Sequence, residues 1–297
     1  MDCGMIGLGR IGGNLSLHAM KKGHNVVGYS KSDEELNRLA KEGLEPAKSI
    51  QSLVGKLESP RIIFIYIPHG SPTEEVCKEL NQYLETGDIV VDGGNSHWKT
   101  SVSRYEKFKE KGVHFLDCGT SGGIEGAGNG ACFMVGGDAV AYSFVEPLFK
   151  DLAVPEGTLH VGPAGAGHFS KLIHNAIEFG MLQAIGEGIA LLQASNYKLN
   201  LPKLMHNWSN GSVIRGWLIE LMAKGLQSNN LEDLSSHVED TREVRWAVEF
   251  ALEKEVWIPV IAQSELALYR SRDPENVSAK SVALMRHGFG GHPLHKK

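Results

Sequence analysis

Residues 7–12 read Gly7-Leu8-Gly9-Arg10-Ile11-Gly12. An apolar run at 3–7 leads into them and a helical pattern at 14–22 follows. In a strand–turn–helix of this kind the first glycine permits the tight turn and the second lets backbone N–H groups approach a pyrophosphate. The third lets the helix pack close to the strand. Glycine-rich turns also occur without a ligand, so the motif points to a dinucleotide only through its setting. In that setting Gly7, Gly9, Arg10, Ile11 and Gly12 are the expected cofactor contacts.

Outward from this turn, strand-like runs fall at 25–30, 61–67, 88–92, 113–118 and 133–135, with amphipathic stretches at 34–41, 73–83 and 100–111 between them. Alternating strands and helices predict βαβ units feeding a parallel sheet, an N-terminal Rossmann-type doubly wound α/β domain. After a run at 159–161, Gly162-Pro163-Ala164-Gly165-Ala166-Gly167 breaks the rhythm. Beyond it, apolar residues recur at helical spacing over 168–193, 201–208, 213–224, 241–254 and 258–270. The expected organisation is therefore a dinucleotide-binding domain at 1–163 and a mostly α-helical domain at 164–297.

Composition bounds the function. With 297 residues and 42% hydrophobic side chains, the chain can bury one large core or two modest ones. No run of 18 apolar residues occurs and no signal-peptide pattern opens the chain, so neither a membrane span nor export is expected, and a cytoplasmic location is. The four cysteines are scattered and form no C-x-x-C pair, which excludes a disulfide framework and a cysteine zinc site. A net charge of -5 argues against nucleic acid as a partner, so any anionic ligand must be held by a local basic cluster.

Five further segments carry chemistry. At 30–32, Ser30-Lys31-Ser32 stands where an NAD-binding protein of this design often places an acid for the ribose hydroxyls. Two hydroxyls around a lysine favour the 2'-phosphate of NADP, with NAD kept open and an ordinary solvated loop as the bland alternative. Asp92-Gly93-Gly94-Asn95-Ser96 places Asn95 at a strand's carboxyl end, where open α/β sheets bind ligands. Thr120-Ser121-Gly122-Gly123 leaves another strand with small residues that bring backbone donors near an oxygen-rich substrate, or simply forms a loop. Most informative are Lys171, His174, Asn175 and Glu178 at i, i+3, i+4 and i+7, one polar stripe on an otherwise apolar helix. Such a stripe lines a cleft if the apolar faces are buried, or a surface held by side-chain pairs if they are not. The last 30 residues hold six Lys/Arg against two Asp/Glu. There, Arg286-His287-Gly288-Phe289-Gly290-Gly291-His292 reads as an ordered phosphate-binding loop rather than a metal site.

With these motifs in place, the sequence resembles the 6-phosphogluconate dehydrogenase family in its short form. The Gly7–Leu15 region, Asp92 to Ser96 and Ser121-Gly122-Gly123 are similar to motifs of the wider β-hydroxyacid dehydrogenase superfamily. Gly167-His168-Phe169-Ser170-Lys171-Leu172-Ile173-His174-Asn175-Ala176-Ile177-Glu178, with Arg286 and His292, is the family-specific part. The resemblance implies oxidative decarboxylation of 6-phospho-D-gluconate to D-ribulose 5-phosphate and CO2 in the pentose phosphate pathway, with NADP or NAD reduced and no metal. It implies Lys171 as general base and Glu178 as general acid. Asn95 (which also borders the cofactor), Ser121, Gly122, Gly123, His174 and Asn175 would hold the sugar acid. By looser alignment Arg245 and Arg270 meet the phosphate. Arg286 and His292 would reach a neighbouring subunit's site, which implies a homodimer or homotetramer.

Two positions depart from the family. Phe179 stands where a tyrosine usually offers its hydroxyl to the phosphate, and Ile124 stands between Ser121-Gly122-Gly123 and Glu125. Two other readings follow. A 3-hydroxyisobutyrate-type dehydrogenase shares the glycine turn, the Ser-Gly-Gly and a catalytic lysine, but its smaller unphosphorylated substrate leaves the basic cluster unused. A non-catalytic dinucleotide-binding protein would keep the fold alone.

Overall fold

The computed structural model describes residues 1–290, 293 and 295, and divides into two compact units, Met1–Lys171 and Leu172–Lys297. The first holds an eight-stranded sheet of order β3-β2-β1-β4-β5-β6-β7-β8. Its strands are β1 Asp2–Ile6, β2 Asn25–Tyr29, β3 Glu45–Pro46, β4 Ile62–Ile65, β5 Ile89–Asp92, β6 His114–Ser121, β7 Ala131–Gly136 and β8 Ala153–Gly162. Between them run α1 Arg10–Lys21, α2 Asp33–Ala40, α3 Ile50–Gly55, α4 Ser71–Tyr83, α5 Trp98–Lys109, α6 Gly123–Asn129 and α7 Ala139–Leu152.

Alternation along the strands explains the two helical layers. Met5, Phe64, Val91 and Leu116 enter one core with Leu15 of α1 and Val145 and Phe149 of α7. Their neighbours Ile6, Ile63, Ile65, Val90 and Phe115 point to the opposite face and meet Leu53 of α3, Leu80 of α4 and Phe108 of α5. A period of two with both faces apolar is what a sheet covered by helices on both sides requires. One expectation is corrected: the sheet is mixed, because β7 runs antiparallel to β6. Strand order reverses around β1, which pairs with both β2 and β4. The crevice beyond the carboxyl ends of β1 and β4 is thus the expected ligand position.

Helix α8, Ala166–Ala194, begins in the first unit and continues into the second. The second unit adds α9 Leu201–Ser209, α10 Trp217–Ser228, a 3-10 turn at Leu231–Asp233, α11 Glu243–Glu253, α12 Pro259–Ser271 and α13 Val277–Gly290. Ile189, Met205 and Ala223 form its small core, with Leu204, Trp208 and Leu226 packed around them. The helix expected at 213–224 starts four residues later, since Gly216 takes a φ of 163 and serves as its cap. A second correction concerns Arg286 to Gly290, which end helix α13 instead of forming a loop. The helix-favouring run Val277 to Met285 outweighs the glycines that suggested a turn. Among the described residues, no helix is long and apolar enough to cross a membrane.

Cys3, Cys77 and Cys118 are buried and Cys132 is exposed, all as free thiols. Burial pushes the Cys3 and Cys77 thiols from 9.0 up to about 12 and raises Cys118 as well. A raised pKa favours the protonated native state, so this contribution is intact below pH 9.0 and is lost as pH climbs towards about 12. A disulfide-exchange reagent is accordingly expected to titrate Cys132 alone in the native protein at pH 8 and all four thiols after unfolding. Stability should fall in alkali across that window. Rapid native reaction of a second thiol would contradict the burial.

Candidate functional site

The glycine turn has the shape its spacing predicts. Gly7, at a φ of +93, donates its N–H to the Tyr29 carbonyl at 2.9 Å. A Cβ there would stand 2.3 Å from the Tyr66 carbonyl oxygen, and one on Gly12 would stand 2.1 Å from the Gly7 carbonyl oxygen. Gly9 differs: among the described residues, its chain neighbours aside, a Cβ there would meet Glu35 Oε1 alone within 4 Å, at 3.8 Å. Its backbone is therefore open to a ligand. Helix α1 starts with no side-chain cap, no acid in its first turn and Arg10 at its head. These features fit a pyrophosphate at a helix N-terminus. Gly12→Ala forces a clash with backbone and is expected to weaken dinucleotide binding by about tenfold or more, read by equilibrium titration with the reduced cofactor. Unchanged affinity would mean that the turn does not hold the ligand.

Beyond β2, Ser30 Oγ donates to Glu35 Oε2 at 3.1 Å and accepts from Ser32 N at 3.1 Å. Ser32 Oγ in turn accepts from Glu35 N at 3.3 Å and caps α2. Lys31 is exposed.

The Asn95 turn stands on a buried ionic network that the sequence did not reveal. Asp92, fully buried at the end of β5, accepts from Gly94 N at 3.1 Å and from Ser96 Oγ at 2.8 Å. Arg104 of α5, only 2% exposed, donates to Asp92 Oδ2 at 2.7 Å, to Ser96 Oγ at 2.8 Å and to Glu74 Oε1 at 2.8 Å. Tyr66 fills the space between turns. Its ring would lie 2.3 Å from a Cβ on Gly93, and its hydroxyl bonds Thr120 Oγ1 at 2.9 Å.

Thr120 and Ser121 end β6, and Gly122, at a φ of +117, hands the chain directly to α6. This makes the Ser121-Gly122-Gly123 segment an ordered strand–helix turn and not a loose loop. Asp117 on the same strand accepts from Gly165 N at 2.6 Å and His168 N at 2.8 Å, so it caps the start of α8. His168 Nδ1 bonds Ser101 Oγ of α5 at 2.7 Å. Glycine at 119 lets the helix approach: a Cβ there would stand 2.5 Å from Lys171 Cβ. Lys171 is thereby buried against β6, two residues before Ser121. An acid inside a strand, with a glycine-rich approach to a helix further along the chain, was the available signal for Asp117.

α8 is unbroken through Glu178, so the i, i+3, i+4, i+7 spacing holds. Asn175 is buried, while His174 and Glu178 are each about two-fifths exposed. His174 Nδ1 donates to Asn175 Oδ1 at 3.0 Å and lies 3.7 Å from Glu178 Oε2. Arg245 of α11 pairs with Glu249 at 3.0 Å, Arg270 of α12 lies 4.0 Å from Asp273, and both are exposed. Arg286 is exposed on α13, and His292 lies outside the described residues. Phe179 is partly buried, and Ile124 is half exposed on α6.

Known proteins resemble this chain in sequence and in fold. The profile of the NAD binding domain of 6-phosphogluconate dehydrogenase matches residues 2–162. A Bacillus subtilis chain, YqeC, provisionally named a 6-phosphogluconate dehydrogenase, is 42% identical over the whole of both chains. An NAD(+)-dependent, decarboxylating 6-phosphogluconate dehydrogenase of Haloferax volcanii is 39% identical over 100% of this chain and 99% of its own. Among solved structures, Plasmodium falciparum 6-phosphogluconate dehydrogenase, determined with NADP+ and with 6-phosphogluconate, superposes with a TM-score of 0.83 at 28% identity. That match covers 100% of this chain and 66% of the longer one.

Proposed function

Since the chain belongs to the 6-phosphogluconate dehydrogenase family of nicotinamide-dinucleotide oxidoreductases, we propose that it oxidises and decarboxylates 6-phospho-D-gluconate to D-ribulose 5-phosphate and CO2. In this reading residues 1–163 hold the dinucleotide, and residues 164–297 hold substrate and join a second copy. Helix α8 is the observation that carries it. Asp117 caps its first turn and Gly119 lets it close on β6, which buries Lys171 against Gly119, two residues before Ser121.

The bound cofactor supplies the hydride acceptor, held by Gly7, Gly9, Arg10, Ile11 and Gly12. Neutral Lys171 takes the proton of the C3 hydroxyl as hydride leaves C3, giving the 3-keto acid. Protonated Lys171 then hydrogen-bonds the ketone oxygen and stabilises the enolate formed as CO2 departs. Lys171 gives the enolate oxygen its proton to form the enediol, and protonated Glu178 then protonates C1 while the enediol hydroxyl returns its proton to Lys171, which yields the ketose. Asn95, Ser121, Gly122, Gly123, His174 and Asn175 orient the sugar acid, with Arg245, Arg270, Arg286 and His292 proposed for the phosphate. Leu191, Leu252 and Val260, each at least 70% exposed, support burial of the second unit's apolar surface by another copy.

The ion pairs of Arg245 and Arg270, together with Phe179, favour as a second reading an unphosphorylated 3-hydroxy acid. Absorbance at 340 nm separates the readings. A rise with 6-phosphogluconate, matched by CO2 release, is the expected result. A rise with 3-hydroxyisobutyrate alone would replace it, and binding without turnover would leave a non-catalytic dinucleotide protein.

A further inference from the structure

We propose that Glu35, on helix α2, selects NAD over NADP by occupying the place of the missing strand-end acid. The inference rests on the dinucleotide site and is independent of which hydroxy acid is oxidised. An acid at the end of β2 normally accepts the ribose hydroxyls and repels a 2'-phosphate. Here that position is Ser30, and by sequence alone Ser30, Lys31 and Ser32 favour the phosphate.

The geometry reverses that preference. A hydroxyl has one proton to donate, and that of Ser30 goes to Glu35 Oε2 at 3.1 Å. Ser32 Oγ is tied to the backbone of Glu35. The second carboxylate oxygen, Glu35 Oε1, overhangs Gly9, 3.8 Å from its would-be Cβ, on the open side of the glycine turn. Thus Ser30 holds one oxygen of the carboxylate and Ser32 caps the backbone that carries it, while the other oxygen looks onto the turn where the dinucleotide would cross from pyrophosphate to ribose.

Charge agrees. The first turn of α2 carries Asp33, Glu34 and Glu35 against the single exposed Lys31. The cation of α2 itself, Arg38, has its guanidinium 3.5 Å from the would-be Cβ of Gly13 on α1, beyond Gly9 along that helix. A carboxylate accepts two ribose hydroxyls well and faces a phosphate at like charge.

The test is equilibrium binding of NADH and NADPH to the full-length protein by nucleotide fluorescence, without substrate. NADH is expected to bind wild type about tenfold or more tighter than NADPH. Glu35→Gln keeps a hydrogen-bond acceptor but removes the charge, and should cut that ratio by about tenfold, through tighter NADPH binding as well as weaker NADH binding. Glu35→Ala should do the same, with thermal unfolding confirming that both variants fold. Equal affinities in wild type, or an unchanged ratio in both variants, overturn the proposal. So does selective loss of NADPH binding in Lys31→Ala while the Glu35 variants stay unchanged, since the lysine would then be the reader. Failure of wild type to bind either nucleotide would be a different failure, removing the dinucleotide site itself and this proposal with it.

Discussion

Lys171→Met is expected to lower turnover by about a thousandfold while leaving the affinity for the reduced cofactor unchanged, because a positioned base typically contributes 10²- to 10⁴-fold. Methionine keeps the length and apolar stem that pack against Gly119, so the start of α8 should stay closed on β6. What disappears is the amine that, in the proposed mechanism, receives the hydroxyl proton and later steadies the ketone oxygen. The two losses act on one group, so kcat and kcat/KM should fall together. Single-turnover absorbance at 340 nm with saturating cofactor measures the first quantity, and fluorescence titration measures cofactor affinity. Near-normal turnover would remove Lys171 from the chemistry. A parallel loss of cofactor binding would show instead that the substitution had disturbed the fold around β6.

Why Lys171 was legible, while the groups that hold it were not, follows from what sequence periodicity can carry. Four polar residues at helical spacing in an apolar helix stand out because they break a strong pattern. The glycine turn stands out because Gly7 and Gly12 have no room for a side chain. Arg104 breaks no pattern: it lies in a helix with several exposed cations, and only packing reveals that it turns inward to Asp92. Asp117 likewise looks like one more strand residue until the Gly165 and His168 amides are brought to it by β7, β8 and the turn between them and α8. The Glu35 carboxylate proposed to meet the ribose stood out less, because it comes from the helix after β2 and not from the strand's own end. Local composition misled in both directions. The glycines of α6 suggested a loop, yet Gly122 starts a helix there and Gly126 N bonds the Gly122 carbonyl at 2.8 Å. Helix α7, which contains Pro147, has no counterpart among the expected elements, yet its Val145, Leu148 and Phe149 are buried against the sheet.

The largest loss of stability should follow Arg104→Met. Asp92 has no exposed surface, and its charge is answered by Arg104 at 2.7 Å. Removing one partner of a buried pair leaves the other uncompensated, at a cost of about 3–5 kcal/mol. Against a native stability on the order of 5–15 kcal/mol this is a large fraction. Arg104→Lys keeps the charge but cannot span Asp92, Ser96 and Glu74 with one fork, so an intermediate loss is expected. The pair Arg104→Met with Asp92→Asn should cost less than the sum of the single changes, because the double variant no longer buries a lone charge. Urea midpoints followed by circular dichroism give all four values, and strict additivity would show that the two side chains do not act as a pair. The same network holds the turn that carries Asn95, through the bonds from Asp92 to Gly94 and Ser96. Arg104→Lys should therefore raise KM for the sugar acid more than it changes cofactor affinity, which separates positioning of the turn from general loosening of the sheet.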